Sequence, residues 1–348
     1  MLVGERTNLT QRGGVMRHVV IDQAEMSMSV ERACLVLRHP DWRRPESIPL
    51  KQLDSVVVQA NISMNSGALM QLAAHGVRLQ ILPSRGQGQA CYLTGPTHKD
   101  ARRRLSQYAQ ALDQQVILQW ARCVVRLRLR SQRLMLLKVA QIRRECAPAL
   151  RLAAQQIAAI GSRLDQRVTV DAVRGAEGAA TAVYFAAYQS VFAPALAFHS
   201  RNRRPPLDPV NVVLSLSYTL LHSVFAQAVQ GAGLDPQIGA LHSLAYGRDS
   251  LVCDLVELKR ADLEWWVWRL FAEGVLRVED FSFSQEQGQL PCHLGKAGRA
   301  RFYQAFALIH QGLIADARRV AWLLAKRLDP QLLLPLQPQL EDDAEDWA

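Results

Sequence analysis

The chain has 348 residues, 49% hydrophobic and 21% charged, which is material for about two globular domains and excludes a disordered or fibrous class. Apolar stretches such as "LLLPL" fall short of the ~20 residues of a membrane span, the first twenty residues lack an apolar signal core, and six cysteines without a CxxC pair argue against a zinc ribbon and fit reduced thiols in the cytoplasm. Net charge is +10 with a pI near 9.6 despite the acidic tail "EDDAEDWA", and such an arginine-rich basic body is the electrostatic footprint of a phosphate-bearing partner, nucleic acid first.

From about residue 15 to 95 the sequence predicts β structure. "HVVIDQ" and "RACLVLRH" are strand-like runs, and "IPLKQLDSVVVQA" carries a proline followed by the β-branched run of a buried strand. "NSGALMQLAAHGVRLQILPSRGQGQACYL" predicts a short helix, a glycine stop, a strand, a Gly-rich hairpin turn and another strand. After "LTGPTHKD" the character changes. Lys99 to about Gln166 is dominated by Leu, Ala, Gln and Arg, strong helix formers, with turn residues only at Pro148 and Gly161. Helices follow over "EGAATAVYFAAYQSVF" and over "DPVNVVLSLSYTLLHSVFAQAVQ", where Asp208 is the expected N-cap and Pro209 the first helical residue. "GAGLDP" ends that helix. "DSLVCDLVELKRADLEWWVWRLFAEG" and "AGRARFYQAFALIHQGLIADARRVAWLLAKRL" are the last two. The fold class is therefore α+β, with a small N-terminal β-rich domain (residues 1–98) followed by a larger all-α catalytic domain (residues 99–348) that ends in the acidic tail.

Candidate chemistry gathers in the helical part. Glu177 lies between Gly175 and Gly178 in "RGAEGAATAVYF", where the glycines remove side-chain bulk and let a ligand approach; the ordinary alternative is an acid stabilising a helix N-terminus. Asp254 and Glu257 are three apart and share a helix face among apolar neighbours, so their burial calls for a cation or hydrogen bonds, with Lys259 and Arg260 available as plain salt-bridge partners. His242 sits in a loop before that acidic helix. One histidine with two or three carboxylates makes a hard-metal donor set suited to Mg2+ or Mn2+. Arg122, Arg126, Arg130 and Arg133 fall on one helical face, either a phosphate-binding stripe or a solvated surface, with Arg128 off it. Tyr184 and Tyr188, one turn apart, are expected in the core.

The order "GAEGAATAVYF", "RNRRPPLDPVNVVLSLSYTLL", "GLDPQIGALH" and "GRDSLVCDLVELKR" resembles the CRISPR-associated protein 1 family, the spacer-acquisition integrases. "IPLKQLDSVVVQANISMNSGALMQLAAHGVRLQIL" is similar to that family's strand–helix–strand, so the resemblance covers most of residues 17–310. One departure is that Leu258 and Lys259 stand where the family often has Pro-Phe. The resemblance implies catalytic residues Glu177, His242, Asp254 and Glu257. Glu177, His242 and Glu257 would hold Mg2+ or Mn2+, with Asp254 as a second acid behind them. It implies DNA-binding residues Arg201, Arg203, Arg204, Arg248 and Arg260. The implied activity is a metal-dependent DNA endonuclease and integrase that inserts captured DNA fragments into a CRISPR array by transesterification. The implied partners are double-stranded DNA (fragment and repeat), a second copy of the chain in a homodimer, and CRISPR-associated protein 2, in the cytoplasm and without a membrane. Two alternatives share the fold: a DNA-binding scaffold without catalysis, and a mobile-element transposase.

Overall fold

A computed structural model describes residues 17–82, 91–93, 101–202, 205–284 and 291–328. Period-two alternation builds the first layer. In β1 (Arg17–Ile21), Val19 and Ile21 are buried in one core and Val20 in another, so the strand is covered on both faces. The chain then makes β2 (Ser27–Glu31), β3 (Cys34–Arg38) and β4 (Glu46–Pro49), and Pro49 leads into a single 3-10 turn before β5 (Leu53–Val58). The expected strand over "IPLKQLDSVVVQA" is thus two strands in different sheets. β2, "SMSVE", is a strand with no β-branched run to announce it; burial of Met28 against the neighbouring layer holds it.

After β6 (Ser63–Met64), the helix α1 (Ser66–Ala74) is capped by Asn65, which accepts from the Ala68 N–H at 2.7 Å. Gly76, at φ 68°, closes the helix and turns the chain into β7 (Arg78–Ile81), followed by β8 (Cys91–Leu93). One sheet runs β1-β5-β7-β8, with β1, β5 and β7 parallel; the other runs β4-β3-β2-β6. Val20 and Val57, on the far face of the first sheet, join the core of the helical region. The expected division at residues 98 and 99, and the acidic tail, lie outside the described residues.

The helical region begins with α2 (Arg102–Ala111) and the long α3 (Gln114–Ile142). Asp113 separates them without glycine or proline: its carboxylate accepts from the N–H groups of Gln115 and Val116 at 2.8 and 3.2 Å. Next come α4 (Ala147–Gly161) and α5 (Val170–Tyr188). α5 starts earlier than the glycine-flanked segment indicates, because Thr169 caps it by accepting from Ala172. Glu177 is consequently two turns inside the helix rather than at its N-terminus. Gly175 and Gly178 are exposed, and a methyl group added at either meets nothing within 4 Å, so the surface beside Glu177 is bare.

The helix α6 (Pro209–Gly231) has Asp208 at its cap, accepting from Asn211 at 2.8 Å, and Pro209 in its first turn. It is the one described helix long and apolar enough to cross a membrane, at 23 residues, an exception to the apolar stretches weighed above. Here it runs through the core, packed by helices further along the chain. The segment expected as one helix over residues 249–274 is two, α7 (Ser250–Val256) and α8 (Arg260–Ala272). The N–H groups of Leu258 and Lys259 bond three residues back to Leu255 and Val256, tightening the turn, and Glu257 and Arg260 flank the break. A hairpin, β9 (Phe281–Phe283) with β10 (Cys292–Leu294), interrupts the otherwise helical region before α9 (Lys296–Leu328). Its strands are three residues long, below what an alternation pattern can reveal. α3 packs against α4, α5 and α8, and that convergence positions the acidic residues.

Candidate active site

Glu177 from α5 and Glu257 from the α7–α8 junction meet on a single cation, Arg128 of α3. Nη1 of Arg128 lies 2.5 Å from Glu177 Oε1 and 2.6 Å from Glu257 Oε2, while Nη2 donates to Thr181 Oγ1 at 3.0 Å. Thr181, one turn after Glu177, donates its hydroxyl to Glu177 Oε1 at 2.8 Å. Arg260 takes the other oxygen of Glu257, Nη1 to Oε1, at 2.5 Å. Glu257 Oε2 is buried and receives no directed hydrogen bond, so its contact with Arg128 is one of charge alone. The side chains of Arg128 and Glu257 are 5% exposed and that of Glu177 21%, which places Glu177 at the mouth of the site and the pair behind it.

A second constellation fixes His242. The buried carboxylate of Asp254 accepts four hydrogen bonds from one loop. Oδ2 takes the backbone N–H groups of Ala240 (2.6 Å) and Leu241 (3.0 Å), and Oδ1 takes the N–H of His242 (2.9 Å) and its ring Nδ1 (2.6 Å). A carboxylate oxygen accepts, so Nδ1 is the nitrogen that donates to Asp254, and Nε2 is the one left for another partner. Gly239 permits this closeness: a Cβ there would stand 2.6 Å from the Ser250 carbonyl carbon and 2.9 Å from Asp254 Oδ2. Asp254 therefore orients His242 and ties down its loop, with both oxygens occupied.

Three donors of the right chemistry thus come from α5, the loop and the α7–α8 turn. Among the described residues, however, no three His, Cys, Asp or Glu side chains are already gathered closely enough to hold a metal ion. The chain holds them as two pairs, Glu177 with Glu257 through Arg128 and His242 with Asp254. The donor types and the orphaned Glu257 Oε2 fit a hard divalent cation; the gap between the two glutamates is the one that Arg128 fills.

The expected DNA-contacting arginines are mostly engaged within the chain. Arg201 donates to Asn211 Oδ1 at 2.7 Å and Ser215 Oγ at 3.0 Å. Arg248 donates to the Ser243 carbonyl at 2.9 Å and braces the loop after His242. Arg260 lies 4.4 Å from the centroid of the Tyr218 ring, beside Glu257. Arg203 and Arg204 lie outside the described residues. On α3, Arg126, Arg130 and Arg133 are exposed, although Arg126 pairs with Asp165 at 2.7 Å and Arg122 donates to the Arg167 carbonyl. Tyr184 and Tyr188 are buried in the core and stacked on each other, as expected. Sequence spacing set Arg128 aside as off the arginine stripe, and that same offset is the signal that it faces inward.

Behind Arg260 lies a fully buried carboxyl, Glu264, which accepts from the Tyr218 hydroxyl. Burial raises its pKa above the ordinary 4.5, against the lowering influence of Arg260, Tyr184, Tyr218 and Arg128. A carboxyl whose folded pKa is raised contributes stability that is full below pH 4.5 and lost as pH rises through the folded value. Glu264→Gln lacks that dependence. Its melting temperature relative to the unsubstituted chain is expected to climb as pH rises above 4.5, and a gap constant with pH would contradict this.

The fold agrees with that of known proteins. A family model described as CRISPR associated protein Cas1 matches residues 19–307. A relative, "CRISPR-associated endonuclease Cas1 1" of Thermodesulfovibrio yellowstonii, is 34% identical over 292 residues, covering 84% of this chain and 90% of its own length. Among solved structures, a casposase bound to integration product superposes with a TM-score of 0.74 at 18% identity, covering 89% of this chain and 91% of that one. A Cas6-RT-Cas1–Cas2 complex gives a TM-score of 0.75 at 23% identity, covering 93% of this chain and 36% of that one.

Proposed function

The chain belongs to the CRISPR-associated Cas1 family, and we propose that it is a metal-dependent DNA integrase and endonuclease that inserts captured fragments into a CRISPR array. The observation that carries this is the convergence of Glu177 and Glu257, from separate helices, on one partly buried point. Glu177, Glu257 and His242 Nε2 would hold Mg2+ or Mn2+, which when bound supplies a Lewis acid that polarises the scissile phosphate.

The chain's own groups prepare that chemistry. Asp254 holds His242 by Nδ1 and so leaves Nε2 as the ring nitrogen turned toward a metal. Arg260 neutralises Glu257 and holds its rotamer. The exposed surface beside Gly175 and Gly178 leaves room for a DNA strand to approach Glu177. In the transesterification the 3′-oxygen of the fragment bonds to a repeat phosphorus while the repeat's own 3′-oxygen leaves. One phosphodiester replaces another and no external energy is needed. In this reading the exposed arginines of α3, Arg130 and Arg133, contribute phosphate contacts, which position DNA without reading sequence. The protein acts in the cytoplasm as a homodimer bridged by CRISPR-associated protein 2, and likeness to a Cas1–Cas2 complex supports that partner. Joining of a 3′-hydroxyl fragment to a repeat-bearing plasmid, with Mn2+ and not with chelator, tests the function.

A further inference from the structure

The position of Arg128 is hard to reconcile with a site that simply waits for metal. Nη1 is within ion-pair distance of both glutamates, so Glu177 Oε1 and Glu257 Oε2 are held on either side of one nitrogen. A divalent ion bridging the same two oxygens at ordinary Mg2+ or Mn2+ distances would occupy that nitrogen's place. Charge leads to the same conclusion. Glu177 and Glu257 are already balanced by Arg128 and Arg260, and a dication added beside an unmoved Arg128 would meet repulsion in a region of low dielectric. Yet Arg128 fits imperfectly. Glu257 Oε2 gets no directed hydrogen bond from it, and Arg128 Nε is buried without a partner. Its firm anchor is elsewhere, on Thr181 through Nη2.

We infer that Arg128 is the resting counter-cation of the metal site, and that metal enters by exchange with its guanidinium. In the resting chain Arg128 holds two apposed carboxylates in place on either side of one nitrogen. On metal entry Nη1 withdraws from the gap, and the contact with Thr181 is the pivot that keeps the arginine near. Arg128 is thus a positioning residue that sets metal affinity, and the two loose donor pairs become one set only after it moves. The inference rests on the metal reading of this site proposed above.

Mn2+ binding, followed by loss of the free-ion electron paramagnetic resonance signal, separates the two. In Arg128→Gln the competing charge is gone, and Mn2+ is expected to bind at least about tenfold more tightly, the scale of one neighbouring charge on a site equilibrium. Added Mn2+ should also raise the variant's melting temperature more than that of the unsubstituted chain. If the glutamine variant does not fold without metal, Arg128→Lys serves: it keeps the charge on a flexible stem without the bidentate reach, and its affinity should fall between the other two. A purely structural arginine predicts weaker or unchanged binding in a folded variant, and either result overturns the exchange. Binding of Mn2+ by neither the unsubstituted chain nor any variant would overturn the metal site itself, and the exchange with it.

Discussion

Replacing Glu177, His242 or Glu257 with alanine is expected to lower DNA strand transfer by about 10²–10⁴-fold, equivalent to the several kcal/mol that a bound Lewis acid contributes to the transition state. The three variants should differ in stability. Glu177 and His242 lie at the mouth of the site, partly exposed, and their removal should leave the fold intact. Glu257→Ala strips both Arg128 and Arg260 of a buried partner, a loss of about 3–5 kcal/mol for a broken buried ion pair. Glu257→Gln, which retains volume and one acceptor, is the better probe of chemistry there. Thermal denaturation beside a strand-transfer assay separates the two effects. Full activity in folded His242→Ala would remove the histidine from the chemistry.

The largest purely structural effect is expected at Asp254. Its two oxygens accept three backbone N–H groups and the His242 ring. Asparagine keeps the shape but turns one acceptor into an NH2, which would face N–H donors. Two buried donors are then unpaired at ~1–3 kcal/mol each, so a loss of about 3–5 kcal/mol follows, a large share of the 5–15 kcal/mol that holds an ordinary domain together. Asp254→Asn should also release Nδ1 of His242 and weaken metal binding by roughly 10–100-fold. Chemical denaturation measures the first effect and Mn2+ titration the second. A stability within about 0.5 kcal/mol of the unsubstituted chain would mean that Asp254 does not hold the loop.

Much of this was legible in the sequence, and the shortfalls have physical causes. Helix α6 was readable because Asp208 and Pro209 mark its start and a long apolar run follows. The break between α7 and α8 was not, since "VELKRADLE" contains no glycine or proline and the tightening is a matter of backbone hydrogen bonds. β2 was hidden because serine and methionine carry little strand preference, and its burial depends on a neighbouring layer. At the site, Asp254 and Glu257 were visible as two acids sharing a face, but spacing alone could not show that they serve different partners. Asp254 turns to the His242 loop and Glu257 to two arginines. Arg260 was legible as a salt-bridge partner of the acids and is one, to Glu257, but Arg248 read as a DNA contact, and spacing could not show that its guanidinium is spent on the Ser243 carbonyl. Arg128 was passed over for the same reason. An arginine's partners are set by which helices pack together, and α3 meets α5 and α8 from far away in the chain.

The central claim, a metal-assisted transfer of a DNA 3′-end at Glu177, Glu257 and His242, is tested most directly by the joining reaction itself. A labelled fragment ending in a 3′-hydroxyl, and the same fragment ending in a dideoxynucleotide, are each incubated with a repeat-bearing plasmid and Mn2+. Joined product is predicted from the hydroxyl fragment alone, and none when the metal is chelated or when Glu177→Ala replaces the unsubstituted chain. Joining that persists with chelator present or in Glu177→Ala, or DNA cleavage with no joined product under any condition, would contradict it.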